Sequence, residues 1–373
     1  MKKLHIIFLD FDDIKNPLLG AGQARATVEV GKRLVAKGHK VTVICSRYPG
    51  YKDRKENGIY YKHIAFGTNN IRLNNLLYIL MLPFTVTRLK GDIVVECFTA
   101  PISTLFSPLF TKIPVVALST SFEADRFSDL YNFPFNKIEK FGLKHYRYFV
   151  ALSDFFERKM KKANKNILSK VIPEGVDSDF LRIKKKKAKH ILFLGRLDIG
   201  QKGIDLLLKA YSNIASKATY PLVIAGNGPD ENKVTELIRK YNLEEKVKMV
   251  GPAYGEKKKK LLSEALYVAF PSRNETFSCF ALEALASGLP LVAFEIPGIA
   301  WSGNEVARKA SAFNVKHYSE LLLQSMNVPK MTQLGKKARK FASHFTWEMV
   351  CNEFESFFQT VLEAERSRYE GSK

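Results

Sequence analysis

Two series of short runs rich in Val and Ile, separated by longer amphipathic stretches, constrain the fold of this chain most strongly. Such runs are typical of strands that crossover helices bury on both faces of a parallel sheet. The first series comprises residues 5–9, 40–45, 93–96, 115–118 and 148–152, with a helix predicted over 23–37. The second comprises residues 190–194, 222–224, 247–250, 267–270 and 291–294. Each series therefore predicts a Rossmann-like α/β domain.

The length of the chain agrees with two domains. Its 373 residues are enough for two cores, since one domain usually occupies roughly 150 residues. We expect a first domain over residues 1–178, a second over 179–345, and a C-terminal helix and tail over 346–373 that packs on the first domain. The charged stretch 184–187 lacks apolar periodicity, so the junction is predicted near residues 175–188.

The net charge predicts an anionic partner. Lys and Arg number 59 against 37 Asp and Glu, which gives +22. Nucleotide phosphates, nucleic acid and an acidic membrane surface would all satisfy such a charge. Nucleic acid is the least favoured of these, because the basic run at residues 257–260 is not accompanied by a recognisable nucleic-acid-binding module.

The spacing of the cysteines and the apolar runs indicate the cellular compartment of the protein. The four cysteines are too far apart in sequence for the close pairs of zinc sites or redox dithiols; they are Cys45, Cys97, Cys279 and Cys351. Aspartates cut short the apolar run near the N-terminus, and prolines and charges interrupt residues 93–118, which we interpret as strand, helix, strand. We expect a cytoplasmic protein.

Two glycine-containing loops follow predicted strands. Gly20 and Gly22 precede the helix at 23–37, where backbone N–H groups can approach an anion, although a plain tight turn explains them equally well. Gly195 and Arg196 follow the strand at 190–194, and Lys202 comes shortly after. An Arg fork and a Lys point charge suit a diphosphate. Two solvated loop cations are the alternative.

The most specific stretch is residues 271–290. Glu275 lies in the loop after the strand at 267–270, and Glu283 lies one to two turns into the following helix. Carboxylates accept paired hydrogen bonds from vicinal hydroxyls, so two of them around a helix N-terminus can hold a sugar and a ribose beside a diphosphate. Surface charge would explain either Glu singly, but not both in this loop.

These features together resemble the retaining glycosyltransferases of family 4, and the resemblance covers almost the whole chain. It also includes residues 171–177, 225–229, 250–251 and 345–347. It implies the GT-B fold, an α/β architecture of two Rossmann-like parallel-sheet domains facing a cleft. It also implies transfer of a sugar from a UDP- or GDP-sugar to a hydroxyl acceptor, with neither a tightly bound cofactor nor a metal.

The resemblance implies a role for each matching residue. Arg196 and Lys202 would bind the donor diphosphate, Glu275 the transferred sugar, and Glu283 the ribose. The remaining donor-site residues would contact phosphates or line the base; they are Gly20, Gly22, Gly195, Gly226, Val250, Gly251, Phe277, Ser278 and Cys279. Thr120 stands where family members often have a catalytic histidine, and Glu174 stands where Asn is common. A hydroxyl can orient a sugar but cannot accept a proton as imidazole does.

Two other stretches of the sequence predict an alternative enzyme class and a membrane-binding surface. The stretch 6–13, with Asp10, Asp12 and Asp13, also resembles the aspartate motif of haloacid-dehalogenase-type phosphatases, which is the alternative enzyme class.

One predicted helical face is basic and consists of Lys137, Lys140, Lys144 and Arg147. It lies near the aromatics Tyr131, Phe133 and Phe135 and the apolar stretch 76–84. This surface predicts peripheral contact with an anionic membrane and a lipid-linked acceptor, although a solvated helix face explains it equally well.

Overall fold

A computed structural model describes residues 2–20, 22–101 and 104–370. The chain forms two compact units: unit 1 contains the described residues up to Glu174 and from Trp347 onward, and unit 2 contains Gly175–Thr346. Each unit is a parallel-sheet α/β domain, as the sequence predicts. Unit 2 begins slightly before the expected boundary because the Val176 N–H donates to the Phe345 carbonyl at 2.7 Å.

The charged stretch 184–187 belongs to unit 2 and is not a linker between the units. The backbone N–H of Lys186 donates to the Ser263 carbonyl at 2.9 Å, and that of Lys189 donates to the Glu264 carbonyl at 2.8 Å. Both acceptors lie in unit 2. These two hydrogen bonds therefore hold the segment in unit 2, although it has no apolar periodicity.

Unit 1 contains an eight-stranded sheet in the order β3-β4-β2-β1-β5-β6-β7-β8. The strands are β1 (His5–Leu9), β2 (Lys40–Ser46), β3 (Arg54–Glu56), β4 (Ile59–Ile64), β5 (Ile93–Cys97), β6 (Val115–Leu118), β7 (Tyr148–Ala151) and β8 (Leu168–Val171). β3 is antiparallel to β4, whereas the other pairs are parallel. The four last residues of β1 are buried, as expected for a central strand covered on both faces.

The first helices of unit 1 are α1 (Gly22–Ala36), α2 (Ile71–Val86), α3 (Ala124–Tyr131), α4 (Phe135–Leu143) and α5 (Asp154–Ala163). Between β5 and β6 the expected helix is reduced to a 3-10 turn, Ser107–Leu109, because nearby prolines cannot donate helical hydrogen bonds. In the part of the chain that the structure describes, no helix combines the length and apolarity needed to cross a bilayer.

Unit 2 contains six parallel strands in the order β11-β10-β9-β12-β13-β14. They are β9 (His190–Leu194), β10 (Leu222–Ala225), β11 (Val247–Met249), β12 (Ala265–Phe270), β13 (Leu291–Phe294) and β14 (Ala307–Ala310). Its helices are α6 (Ser178–Leu181), α7 (Ile199–Lys202), α8 (Ile204–Ser212), α9 (Glu231–Lys240), α10 (Gly255–Glu264), α11 (Cys279–Ala286), α12 (Val315–Gln324) and α13 (Val328–Ala342).

The strand order of unit 2 reverses direction between β9 and β12, which are neighbours. In open parallel sheets, loops at such a point diverge and leave a crevice at the carboxyl ends of the strands. We call this the carboxyl edge and the opposite side the amino edge. The loops that follow β9 and β12 contain the motifs that the sequence analysis selected, so both motifs lie at the carboxyl edge.

The last helix, α14 (Trp347–Glu370), packs on α1 in unit 1. Its buried Glu355 accepts hydrogen bonds from His39 Nε2 at 3.0 Å and from Lys37 Nζ at 2.7 Å. Burial favours the neutral carboxyl, but these two donors more than compensate and lower the pKa of Glu355. A charged network thus fixes α14 to the first unit.

Candidate functional site

Arg196 lies at the carboxyl edge of unit 2, directly after β9. Asp198 caps the short helix α7 by accepting the Gln201 N–H at 3.0 Å, and the Ile199 N–H donates to Asp230 at 2.9 Å. Arg196 itself is exposed, and its guanidinium makes no hydrogen bond or ion pair with the described residues. The loop is therefore fixed by its own caps, while its one arginine is available to an anion.

Glu275 is brought together with Lys202, as expected for two residues of one site. The Glu275 side chain is 7% exposed, and its Oε1 lies 2.7 Å from Lys202 Nζ. The same oxygen accepts the Ser272 hydroxyl at 2.8 Å. A Cβ at Gly298 would collide with the Glu275 carbonyl, so only glycine permits this close backbone approach. The carboxylate is thus buried, charge-balanced and fixed in position.

An arginine that the sequence analysis did not select fixes the Glu275 loop. Arg273 forms a bidentate ion pair with Asp205 at 2.7 and 2.8 Å. It also donates to the Ile199 carbonyl at 2.7 Å. Because Asp205 and Ile199 belong to α8 and α7, Arg273 joins the loop after β12 to the segment that contains Lys202.

The glycines expected at the site are in mutual contact. Gly226 has φ +145°, and a Cβ there would overlap the Gly195 carbonyl oxygen. The Gly226 N–H donates to the Gly251 carbonyl at 2.9 Å, and the Val250 N–H donates to Ile224 at 3.0 Å. The loops after β9, β10 and β11 thus approach each other through glycine, and they line one continuous part of the carboxyl edge.

The N-terminus of α11 lies next to Glu275 in the same loop. Ser278 caps the helix by accepting the Ala281 N–H at 3.2 Å, and Cys279 is the first helical residue. Phe277 stacks on Trp301 with ring centroids 4.6 Å apart and an interplanar angle of 20°. Aromatic packing therefore fixes the start of a helix whose N-terminal dipole favours an anion.

Glu283 is buried further along α11 and is paired with Lys258 of α10. The Lys258 ammonium also lies 5.2 Å from the ring centroid of Phe180 and 5.7 Å from that of Phe280. In the sequence, Lys258 belongs to the basic run 257–260, which by itself indicates only a possible nucleic-acid contact. Its spacing of four from buried Leu262 places both residues on one helix face, and this pattern could have distinguished it from its neighbours.

In unit 1, the structure places Thr120 and the first glycine loop in defined contacts. The Thr120 hydroxyl donates to the Phe98 carbonyl at 2.6 Å. The Gly20 N–H donates to Asp12 at 3.3 Å, and Gly22 begins α1. Ala21, between these glycines, lies outside the described residues. The Thr120 hydroxyl hydrogen is thus already engaged, and only its oxygen lone pairs face other partners.

The aspartates after β1 form a network of internal partners. Asp13 accepts both fork nitrogens of Arg54 at 2.6 and 2.7 Å and His63 Nε2 at 2.8 Å. Burial opposes ionisation, but these donors hold the pKa of Asp13 well below its usual range. Side-chain ligand atoms of Asp13, His63 and Cys45 lie within 4.8 Å of one another, close enough to hold a metal ion. However, the guanidinium of Arg54 already donates to both carboxylate oxygens of Asp13. Asp13 therefore belongs to an ion-paired cluster with Arg54 and His63, and this cluster gives no support to the phosphatase alternative.

Two other carboxyl groups of unit 1 are buried beside each other. Asp10 follows β1 and accepts the Thr27 hydroxyl at 2.5 Å. Desolvation raises the pKa of Asp10 to about 7. Desolvation and the nearby Asp10 raise the pKa of Glu174 to about 8. These groups therefore tend to hold protons at neutral pH.

Models of glycosyltransferase families match both units of the chain. The model of Glycosyltransferase Family 4 matches residues 20–180, and that of Glycosyl transferases group 1 matches residues 178–341. One relative is the Campylobacter jejuni N-acetylgalactosamine-N,N'-diacetylbacillosaminyl-diphospho-undecaprenol 4-alpha-N-acetylgalactosaminyltransferase. The chain is 38% identical to it over 106 residues, which cover 28% of each chain. The chain matches this and other curated relatives over 28 to 62% of their length.

Solved structures show the same fold. Sucrose-phosphate synthase from Thermosynechococcus elongatus aligns with a TM-score of 0.79 at 16% identity, covering 97% of this chain and 100% of that one. An Anabaena protein solved in complex with UDP and glucose aligns with a TM-score of 0.73 at 14% identity, covering 95% and 99%. The two family models together match most of the chain. The chain therefore belongs to the family 4 glycosyltransferases and has the GT-B fold.

Proposed function

We propose that this protein transfers a sugar from a nucleoside-diphosphate sugar to a hydroxyl acceptor, with retention of the anomeric configuration. One observation supports this most strongly: the carboxyl edge of unit 2 contains two buried, lysine-paired carboxylates, the α11 N-terminus, and an arginine that makes no hydrogen bond or ion pair with the residues that the structure describes. Carboxylates suit sugar hydroxyls, whereas the arginine and the helix end suit phosphates. A nucleoside-diphosphate sugar contains both kinds of group.

Each group has a distinct part in this proposal. Arg196, Lys202 and the α11 N-terminus neutralise the diphosphate, Glu275 accepts hydroxyls of the transferred sugar, and Glu283 accepts those of the ribose. The backbone at Val250 and Gly251 lines the base. Lys202 is paired with Glu275 at 2.7 Å, so it can share its three donors between carboxylate and phosphate.

The proposed reaction needs no protein base. The bond from the anomeric carbon to the diphosphate breaks, the acceptor oxygen bonds to the same face, and its proton passes to the leaving phosphate oxygen. Thr120 orients hydroxyls through its lone pairs, because its own hydrogen is donated to the Phe98 carbonyl at 2.6 Å. This accounts for a threonine in the position where related proteins often have histidine.

A ligand panel followed by product analysis tests this function. We expect one class of nucleoside diphosphate to raise the melting temperature, since a ligand at 100 times its Kd stabilises by about 2.7 kcal/mol. The matching nucleotide sugar should then yield a product whose anomeric NMR coupling equals that of the donor. Lys202→Ala should reduce the thermal shift, whereas Lys209→Ala, an exposed lysine of α8, should not. Absence of any nucleotide-dependent shift would contradict the proposal.

We further propose that the acceptor is lipid-linked and that unit 1 contacts an anionic membrane. One face of α2 is exposed although it is apolar: Leu76, Leu80 and Phe84 are 53%, 57% and 64% exposed. Arg72 of α2 lies 5.9 Å from the ring centroid of Tyr131, which connects this face with the exposed aromatic residue at the end of α3. The Campylobacter relative, whose name contains diphospho-undecaprenol, is consistent with such a substrate.

Exposed cations on the next helix supply the charge. Lys137, Lys140 and Lys144 are exposed in α4 or at its C-cap. The expectation that Arg147 shares this helical face is wrong, because α4 ends at Leu143 and the exposed Arg147 lies beyond it, 3.5 Å from Glu365. Each cation near an anionic surface contributes about 1 kcal/mol, and salt weakens this attraction. The apolar face of α2 can then lie among the headgroups without spanning the bilayer.

Vesicle flotation tests the membrane contact. Binding to phosphatidylglycerol vesicles should be strong at low salt, weaker at high salt, and weak for a variant with these four cations changed to Gln. The matched control changes four exposed lysines of unit 2, Lys209, Lys217, Lys240 and Lys316, to Gln. Equal binding of both variants, or equal binding to neutral vesicles, would favour a soluble acceptor.

A further inference from the structure

Unit 2 contains a cationic cavity that has no part in the proposed donor site. Its volume is about 540 Å³, which lies within the range of pockets that hold small molecules. Five cations line it, and no carboxylate does: Lys185, Lys186, Lys187, Lys336 and Arg339. We call this space the amino-edge cavity.

The amino-edge cavity lies at the opposite side of the sheet from Glu275. Ala265 and Leu266, which begin β12, line it, as do Ala188 before β9 and Tyr220 before β10. The carboxyl end of β12 leads to Glu275. Because six extended residues span about 20 Å, a ligand in the cavity would not contact the donor site.

The cations of the cavity differ in how firmly they are held. Arg339 donates to the carbonyls of Ile183 and Ser287 at 2.6 and 2.8 Å. Lys185 donates to those of Leu262 and Ala265 at 2.7 and 2.8 Å. Lys187 and Lys336 are exposed and make no hydrogen bond or ion pair with the residues that the structure describes. Two cations are therefore fixed in the wall, and two others are available.

Like charges lie close together in the amino-edge cavity, and they are partly removed from water. Desolvation, together with repulsion from Arg339, lowers the pKa of Lys185. Carbonyl oxygens accept hydrogen bonds from the two fixed cations but do not cancel their charge. A bound anion would neutralise the cluster directly.

The remaining lining indicates what kind of anion fits. Leu266, Val328 and Met331 contribute apolar surface beside the cations, together with the Tyr220 ring. Val328 is 40% exposed although it is apolar. A small, purely hydrated anion would leave this surface uncovered, whereas a phosphorylated molecule with an apolar part would cover both kinds of lining.

We propose that the amino-edge cavity binds a phosphorylated ligand with an apolar moiety, as a second anion site separate from the donor site. The phosphoryl oxygens accept hydrogen bonds from Lys187, Lys336 and neighbouring cations. The apolar part lies against Leu266, Val328 and Met331. This inference does not depend on the proposed transferase activity.

Calorimetry on the full chain, at about 150 mM salt to suppress nonspecific attraction, tests the site with geranyl diphosphate and inorganic pyrophosphate as probes. Arg196→Ala and Lys202→Ala are introduced in every variant, so that donor-site binding does not obscure the result. We expect geranyl diphosphate to bind one to one and more tightly than pyrophosphate. Adding Lys187→Gln and Lys336→Gln should weaken it about tenfold or more.

The matched control replaces the exposed lysines Lys240 and Lys316 by Gln, which removes the same charge elsewhere on unit 2. It should change the affinity for geranyl diphosphate less than about twofold. Arg339 is kept, because its bonds to Ile183 and Ser287 support the fold. No binding of geranyl diphosphate, or equal weakening by both pairs of substitutions, would overturn the proposal.

A free phosphorylated metabolite and a phospholipid headgroup present the same chemistry, and flotation with phosphatidic acid vesicles separates them when Lys137, Lys140, Lys144 and Arg147 are changed to Gln in every variant, so that unit 1 does not hold the protein on the vesicle. If Lys187→Gln with Lys336→Gln weakens geranyl diphosphate binding but not flotation, the ligand is a free metabolite. If both decline, the ligand is a lipid headgroup. If neither declines, the cavity is not an anion site.

Discussion

Both units bury carboxyl groups near the carboxyl ends of their strands, but Glu275 and Glu283 of unit 2 differ from Asp10 and Glu174 of unit 1 in how the charge is balanced. In unit 2, buried Glu275 and Glu283 are each paired with a lysine. In unit 1, buried Asp10 accepts a threonine hydroxyl at 2.5 Å, and Glu174 makes no hydrogen bond or ion pair with the described residues. Pairing keeps a buried carboxylate charged, whereas burial without a cation favours protonation. The first arrangement suits ligand binding, and the second makes stability depend on pH.

The largest expected effect follows from removing one paired carboxylate. Glu275→Gln should lower kcat by roughly 10²–10³-fold, because the amide cannot accept sugar hydroxyls as the carboxylate does. Affinity for the nucleoside diphosphate should stay the same or increase, since Lys202 loses its internal partner. Steady-state kinetics and calorimetry measure the two quantities separately.

Glu283→Ala tests whether the two paired carboxylates have different roles in turnover and in nucleotide binding. It should weaken binding of the nucleoside diphosphate itself, because Glu283 is assigned to the ribose. Glu244→Gln, at an exposed position of unit 2, should alter neither quantity. If Glu275→Gln weakened the nucleotide and Glu283→Ala affected only turnover, the assigned roles would be wrong.

The next effect concerns the cations beside these carboxylates. Arg196→Ala together with Lys202→Ala should weaken nucleoside diphosphate binding about 100-fold, because phosphate oxygens lose charge-assisted partners. Titration calorimetry checks this, with Lys209→Ala as the control in α8. Unchanged affinity of the double variant would place the diphosphate elsewhere.

In unit 1, the unpaired carboxyls should make stability depend on pH. Folding raises the pKa of Asp10 to about 7 and that of Glu174 to about 8. Their contribution is therefore complete below the pKa values of the unfolded chain and is lost as pH rises towards 8. Glu174→Gln should remove part of this slope and raise the urea midpoint at pH 8, because Gln carries no charge to bury.

Urea unfolding at pH 5 and pH 8 measures this difference. Asp129→Asn, at an exposed acidic position of the same unit, should leave the slope unchanged. A wild-type midpoint that does not shift between the two pH values would refute the account of Asp10 and Glu174.

The smallest expected effect is that of a chelator. Because Arg196, Lys202 and the α11 N-terminus are assigned to the leaving diphosphate, EDTA should change turnover less than about twofold. Loss of turnover in EDTA, restored by added magnesium or manganese, would instead require a metal beside these residues.

Burial explains which strands could be predicted. β1, β6, β9 and β13 have the bounds that the apolar runs predict, because these strands are buried on both faces. The strands that were missed lie at or near sheet edges and contain polar residues; they are β3, β4, β8 and β14. An edge strand needs no continuous apolar run, so its sequence resembles a loop.

The candidate site was predictable in its members but not in its contacts. Glu275, Glu283, Arg196 and Lys202 stand in recognisable motifs, whereas the pairing of Lys202 with Glu275 depends on β9 and β12 being neighbours. Lys258 was hidden in a run of four lysines, and only the packing of α10 shows that it faces Glu283. The hydrogen bond of Thr120 to Phe98 likewise depends on strands β5 and β6 lying side by side.

Hydrogen–deuterium exchange with and without the best-binding nucleoside diphosphate tests the central claim most directly, because it locates the ligand on the chain. The account predicts slower exchange in the segments 195–203 and 272–283 at the carboxyl edge of unit 2. It also predicts unchanged exchange in segments 185–188 and 328–339 at the amino edge. Protection confined to the amino edge, or absent from unit 2, would contradict the assignment of the donor site.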